Sequence, residues 1–135
     1  MIVCGNGFPI IGLGAAIDFV ASIGYEAIHR HERDLLLATH ERLEKVAGLT
    51  IHGPKPENKG AIASFSIDSI STEDLAIRLD DRGIFTRHGH HCAMVLHDRL
   101  GVPATTRASF GLYNTMEDVN ALVQAVEAAA EELAQ

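Results

Sequence analysis

The sequence predicts an α+β domain in which helices cover a small mixed or antiparallel sheet of about four strands. Three observations carry this. The chain has 135 residues, 47% of them apolar, which is enough for one core without cross-links. Four short alternating or apolar runs are separated by turn residues. Longer stretches with helical spacing stand at both ends, so helices and strands share one layered unit.

Taken in order, residues 12–23 are small and apolar and suit a buried helix with close neighbours, ended by Gly24. Residues 25–47 form a long helix. Ile28, Leu35, Leu36, Thr39, Leu43 and Val46 follow its inward face, charged residues fill the other, and Gly48 stops it. "LTIHG" (49–53) is a short strand, "GPKPENKG" (53–60) a polar turn, and "AIASFSID" (61–68) alternates as a second strand. Ser71 or Thr72 caps a helix over 73–81, stopped by Gly83. "IFTR" (84–87) and "TRASFGLY" (106–113) complete the sheet, leaving 87–105 as one long irregular connection, a length that usually marks function. Asn114 caps the last helix, with Glu117 closing a capping box. Val119, Leu122, Val123, Val126, Ala130 and Leu133 line its buried face.

Composition narrows the function. The net charge of −7 comes without a basic stripe, which argues against a nucleic-acid partner. No apolar run reaches the roughly 18 residues of a membrane span. The apolar start lacks a basic leader and is broken by glycines, so no signal peptide is expected. Cys4 and Cys92 do not form a disulfide framework, which points to a reducing cytoplasm.

The chemistry concentrates in "RHGHHCAMVLHDR" (87–99). Zinc is one reading, but His90, His91 and Cys92 are consecutive and point different ways in an extended loop, and no CxxC or HExxH pattern accompanies them. A phosphatase loop is a second. Here His91-Cys92 is followed by six residues before Arg99 rather than five, and the bulky "AMVLHD" makes a poor phosphate cradle. A nucleophilic cysteine is the third: Gly89 bends the loop, and Arg87, His90 and His91 favour a thiolate if they fold toward Cys92. His97 and Arg99 are expected to be solvated or to face a partner, Asp98 to be a loop residue, and Cys4 incidental.

Two longer stretches go further. "GIFTRHGHHCAM" and "GVPATTRASFGLYNTMEDVNALVQAV" match at Arg87, Gly89, His90, His91, Cys92, Ala93, Val102, Pro103, Arg107, Ala108, Ser109, Tyr113, Asn114 and Thr115. With "IIGLGAAIDFV" they resemble the C-terminal domain of SUF-type (group II) cysteine desulfurases, fold-type I aminotransferases of class V that use pyridoxal phosphate. The resemblance implies a divergent segment over 1–9 and a class V small domain over 10–135. It makes Cys92 the nucleophile that receives sulfur from L-cysteine as a persulfide and leaves alanine. Arg107 holds the substrate carboxylate, a task suited to a bidentate guanidinium. Arg87 lies beside it, and His88, Gly89, His90 and His91 shape the active-site loop. The implied partners are a large domain bearing pyridoxal phosphate, a second copy in a homodimer, and a SufE- or SufU-like acceptor feeding iron–sulfur cluster assembly.

The sequence departs from that pattern in three ways. Lys45, Lys55 and Lys59 are its only lysines, and none resembles the cofactor lysine, so the chain by itself is expected to bind no pyridoxal phosphate covalently and to be inactive. "MIVCGNGFP" stands where relatives carry E-x-G-T-P, and His88 replaces a usual threonine. If the chain works only beside a large domain, the apolar surface of 12–23 is left exposed in it. A non-enzymatic persulfide carrier using the same cysteine is the alternative.

Overall fold

The computed structural model describes residues 7–133, with side chains from Ile10 onward. Cys4 and most of the divergent N-terminal segment lie outside the described residues. The chain divides into two compact units, Met1–His31 and Glu32–Gln135.

In the first unit, α1 runs over Gly7–Ile23 and α2 (Tyr25–Leu43) begins. Gly24 separates them at φ +92°, a left-handed conformation open to glycine. α1 starts earlier than the sequence predicts, and it is not buried. Ile10, Ile11, Leu13, Ile17 and Phe19 are each more than half exposed. A helix apolar around its whole circumference needs neighbours on every side, and among the described residues its own unit contains otherwise only the first turns of α2. Among the described residues no single helix is long and apolar enough to cross a membrane.

The second unit is built on a four-stranded antiparallel sheet in the order β1-β2-β4-β3, from β1 (Leu49–His52), β2 (Ile62–Ile67), β3 (Arg87–Gly89) and β4 (Thr105–Ser109). β2 and β3 are both antiparallel to the β4 between them, so they are parallel to each other. The helix α3 (Thr72–Asp80) joins them as a split β-α-β unit. In the polar turn after β1, Pro56–Asn58 form a single 3₁₀ turn.

Alternation along β2 sets the core. Ala63, Phe65 and Ile67 are buried on one face, joined there by Ala108 of β4. Against them pack Leu75 and Leu79 of α3, Leu35 and Leu43 of α2, and Val119, Leu122 and Val126 of α5 (Met116–Leu133). All six positions predicted for the inward face of α2 and its exit are buried. Ser71 caps α3, its hydroxyl accepting from the backbone N–H of Glu73 and Asp74, a contact worth about 1 kcal/mol.

Several boundaries differ from expectation. β4, expected over 106–113, occupies Thr105–Ser109, and the chain turns after it. α2 ends at Leu43 rather than 47, the chain turning before Gly48 at φ +73°. The third strand occupies 87–89 rather than 84–87. The N–H groups of Gly83 and Ile84 are bonded back to Asp80 and Leu79, so pairing with β4 starts only at Arg87. The connection 87–105 is not irregular throughout, because Met94–Leu100 forms α4. Gly101, at φ +71°, closes α4 with bonds to Asp98 and His97. The capping box of α5 lies one residue later than predicted: the Asp118 carboxylate accepts from the Thr115 N–H at 2.9 Å. Asn114 instead closes the preceding turn, its Oδ1 accepting from the Gly111 N–H.

Candidate active site

The sheet face turned away from the core carries the polar residues. His52 pairs with Ser64, Ser64 with Arg107 and Arg107 with Arg87, one from each strand. Directly paired residues share a face, so these four form a row across the sheet. Its last two members are like charges at facing positions, which is unfavourable by itself. Neither arginine takes part in an ion pair among the described residues, and the Arg107 Nε is buried without a hydrogen-bond partner. This end of the row has the chemistry of an anion site, and two guanidinium forks suit a carboxylate. His52, Lys59, His91, His97, Thr105 and Arg107 line an adjoining cavity of about 310 Å³.

From β3 the chain enters a strained turn. Gly89 stands at φ +109°, and His91 and Cys92 are left-handed at +51° and +61°. Each non-glycine residue there costs roughly 1–2 kcal/mol, and the turn is closed by the Ala93 N–H bonding to the His90 carbonyl at 2.8 Å. Cys92 is exposed and free on this turn. A side chain built at Gly89 would meet nothing within 4 Å, so the constraint is backbone conformation rather than space. Gly89→Ala is therefore expected to lower stability by about 1–3 kcal/mol, whereas Gly60→Ala, equally uncrowded but without a left-handed φ, changes it little. Urea denaturation of the two variants checks this, and equal midpoints would contradict the strain argument.

Two of the loop histidines are tied to β4. A carbonyl can only accept, so the His91 Nε2–H donates to the Thr105 carbonyl at 3.1 Å, with the Thr105 hydroxyl at 3.2 Å. The His97 Nδ1–H donates to the Ala93 carbonyl at 3.0 Å, which leaves its Nε2 to accept from the Thr105 hydroxyl at 3.2 Å. His90 sets the edge of its ring against His97, centroids 5.5 Å apart. His88 is exposed and pairs with Thr106, on the opposite face from Arg87. The structure thus brings Arg87 and Arg107 together, ties His91 and His90 to the Cys92 turn, and puts His88 on the opposite face of β3. His97 is the correction: it is 4% exposed, not solvated. Thr105 was not singled out in the sequence, and His97 was given no place in the core. The available signal was the spacing of four from Ala93 to His97, which lets a helical ring reach back to that carbonyl.

Burial lowers the pKa of His91 from its ordinary 6.5, with Arg107 adding to the effect against a raising bond to Thr105. Burial likewise lowers His52, with His97 adding to it, and His40, with Lys59 adding to it. For these groups the unfolded chain binds more protons near pH 6.5, so their contribution is complete above that pH and declines below it. The urea midpoint is expected to fall between about pH 7.5 and about pH 5.5; a flat profile would contradict it.

The donors do not complete a site for pyridoxal phosphate. Lys59 reaches the cavity, but no aspartate or glutamate lines it to pair with a pyridinium nitrogen. Among the described residues no three His, Cys, Asp or Glu side chains are grouped to hold a metal ion.

Known proteins match this arrangement closely. The family model for aminotransferase class-V matches residues 5–122. The probable cysteine desulfurase of Halobacterium salinarum is 44% identical over 119 residues, 88% of this chain and 29% of that protein. Probable cysteine desulfurase 2 of Mycobacterium leprae is 44% identical over 118 residues, 87% of this chain and 28% of that protein. Among solved structures, the S-sulfonic acid form of the cysteine desulfurase CsdA from Escherichia coli superposes with a TM-score of 0.86 at 33% identity, over 91% of this chain and 30% of that one. The alanine–glyoxylate aminotransferase of a Nostoc species, at 20% identity and a TM-score of 0.65, shares the fold. The chain spans somewhat under a third of the length of these relatives. The motifs around Cys92 and Arg107, the antiparallel sheet that carries them and the match over residues 5–122 agree: the chain belongs to the aminotransferase class-V family.

Proposed function

We propose that residues 10–135 act as the small domain of a SUF-type cysteine desulfurase. In the net reaction L-cysteine gives up its sulfur to the Cys92 thiol: the substrate C–S bond breaks, an S–S bond forms on Cys92, and alanine leaves. Arg107 holds the substrate carboxylate and Arg87 adds charge beside it. Gly89, His90 and His91 shape the turn that presents the thiol, and His88 flanks it. The family depends on pyridoxal phosphate, and we assign that cofactor to a large domain outside residues 1–135, without which these residues are inactive. The persulfide passes to a SufE- or SufU-like acceptor for iron–sulfur cluster assembly, the whole enzyme working as a cytoplasmic homodimer.

The observation that most supports this reading is the unpaired Arg107–Arg87 end of the sheet row, beside a strained turn carrying an exposed, free cysteine. It is tested in a chimera in which this chain replaces the matching segment of the E. coli desulfurase CsdA. With L-cysteine the chimera is expected to release alanine, and Cys92→Ser to abolish that release. A folded, cofactor-loaded chimera that releases none would contradict the reading. If the separate chain gains sulfur from a persulfide donor while the chimera stays inactive, the carrier alternative is favoured.

A further inference from the structure

We propose that His97 is a positioning residue for the Cys92 turn, its ring clamped between the Ala93 carbonyl and the Thr105 hydroxyl. Its bearing on sulfur transfer rests on the desulfurase reading; the clamp itself does not.

α4 has little else to hold it down. Met94, Val95, Leu96 and Leu100 are exposed, and His97 is the helix's one buried residue. The helix also lacks a side-chain cap, because Ala93 at its N-terminus has none to offer. The His97 ring supplies the anchoring, though not the cap, because a ring N–H cannot satisfy the free N–H groups of a helix start. Its Nδ1–H donates to the Ala93 carbonyl, on the residue directly after Cys92. Its Nε2 accepts from the Thr105 hydroxyl, the group that also faces the His91 Nε2–H on the residue directly before Cys92. One buried ring therefore brackets the cysteine from both sides and ties the turn to β4, two residues from Arg107. A turn with two left-handed non-glycine residues persists only where its surroundings hold it, and this clamp is such a restraint.

The first test is the ring-nitrogen NMR spectrum of the intact chain. It should show His97 protonated at Nδ1 with a lone pair at Nε2, and the reverse tautomer would overturn the proposal. The second compares His97→Leu, which removes both bonds, with His97→Asn, whose amide restores the donor to Ala93. In His97→Leu, hydrogen exchange at the Ala93 amide should rise about tenfold, the worth of roughly one hydrogen bond. In the chimera its kcat should fall with KM for L-cysteine unchanged, and His97→Asn should recover part of each loss. Wild-type exchange and kcat in His97→Leu, or no recovery in His97→Asn at equal global stability, would overturn it. The two readings fail differently. A wrong desulfurase reading leaves the exchange and NMR results standing without alanine release. A wrong positioning claim leaves alanine release intact in His97→Leu.

Discussion

Arg107→Ala in the chimera is expected to lower kcat/KM for L-cysteine by on the order of a thousandfold, about 4 kcal/mol. The size follows from the surroundings. The Arg107 Nε is buried without a partner, and the residue facing it across the strands is Arg87, another cation. A carboxylate bound there loses a two-pronged, partly desolvated contact and is left with one exposed arginine. Arg107→Lys keeps the charge but not the fork, so it should recover only a minor part of the loss. Arg87→Ala should be the milder change, because that side chain is solvent-screened. Steady-state kinetics on the three variants check the order. Equal effects at the two positions would count against Arg107 as the principal carboxylate ligand.

Phe65→Ala is expected to destabilise the second unit by about 3–5 kcal/mol. Phe65 is fully buried in the middle of β2, in one cluster with residues of α3 and α5, and truncation there leaves a cavity that the surrounding helices cannot close. Against a typical total of roughly 5–15 kcal/mol, much of the domain's margin is lost. Phe85 is the matched control. It is the same residue type on the same sheet's approach, but 84% exposed, and Phe85→Ala should stay within about 0.5 kcal/mol of the parent. Urea denaturation separates the two, and similar midpoints would mean that the core is misassigned.

Much of this fold was legible because its signals are periodic. The alternation in 61–68 marked the central strand, and the inward stripes of α2 and α5 marked the core that covers it. What escaped depended on contacts distant in sequence. The third strand starts at Arg87 because the chain before it is bonded back to the end of α3, which no local pattern announces. α4 has seven residues, exposes most of its apolar side chains and has no side-chain cap, so neither periodicity nor capping rules reveal it. α1 was expected to be buried from its composition. Composition says that a helix needs cover, not that the cover is in the same chain.

The site shows the same division. The types and spacing in 87–99 were enough to single out Arg87 and Cys92, and the resemblance to the desulfurase small domain added Arg107. Their arrangement on one sheet face came from register, since a shift of one residue in β4 would turn Arg107 into the core. His97 was passed over because a histidine in a polar loop has no sequence mark of burial. Only the fold shows that it meets Thr105 from eight residues away.

The central claim, that Cys92 receives sulfur in a cysteine desulfurase, is tested most directly by peptide mass spectrometry of the chimera after one turnover with L-cysteine. The expected result is the added mass of one sulfur atom on the peptide carrying Cys92, removed by a thiol reductant and absent in Cys92→Ser. Alanine release with the sulfur on any other residue, or with none on the protein, would contradict it.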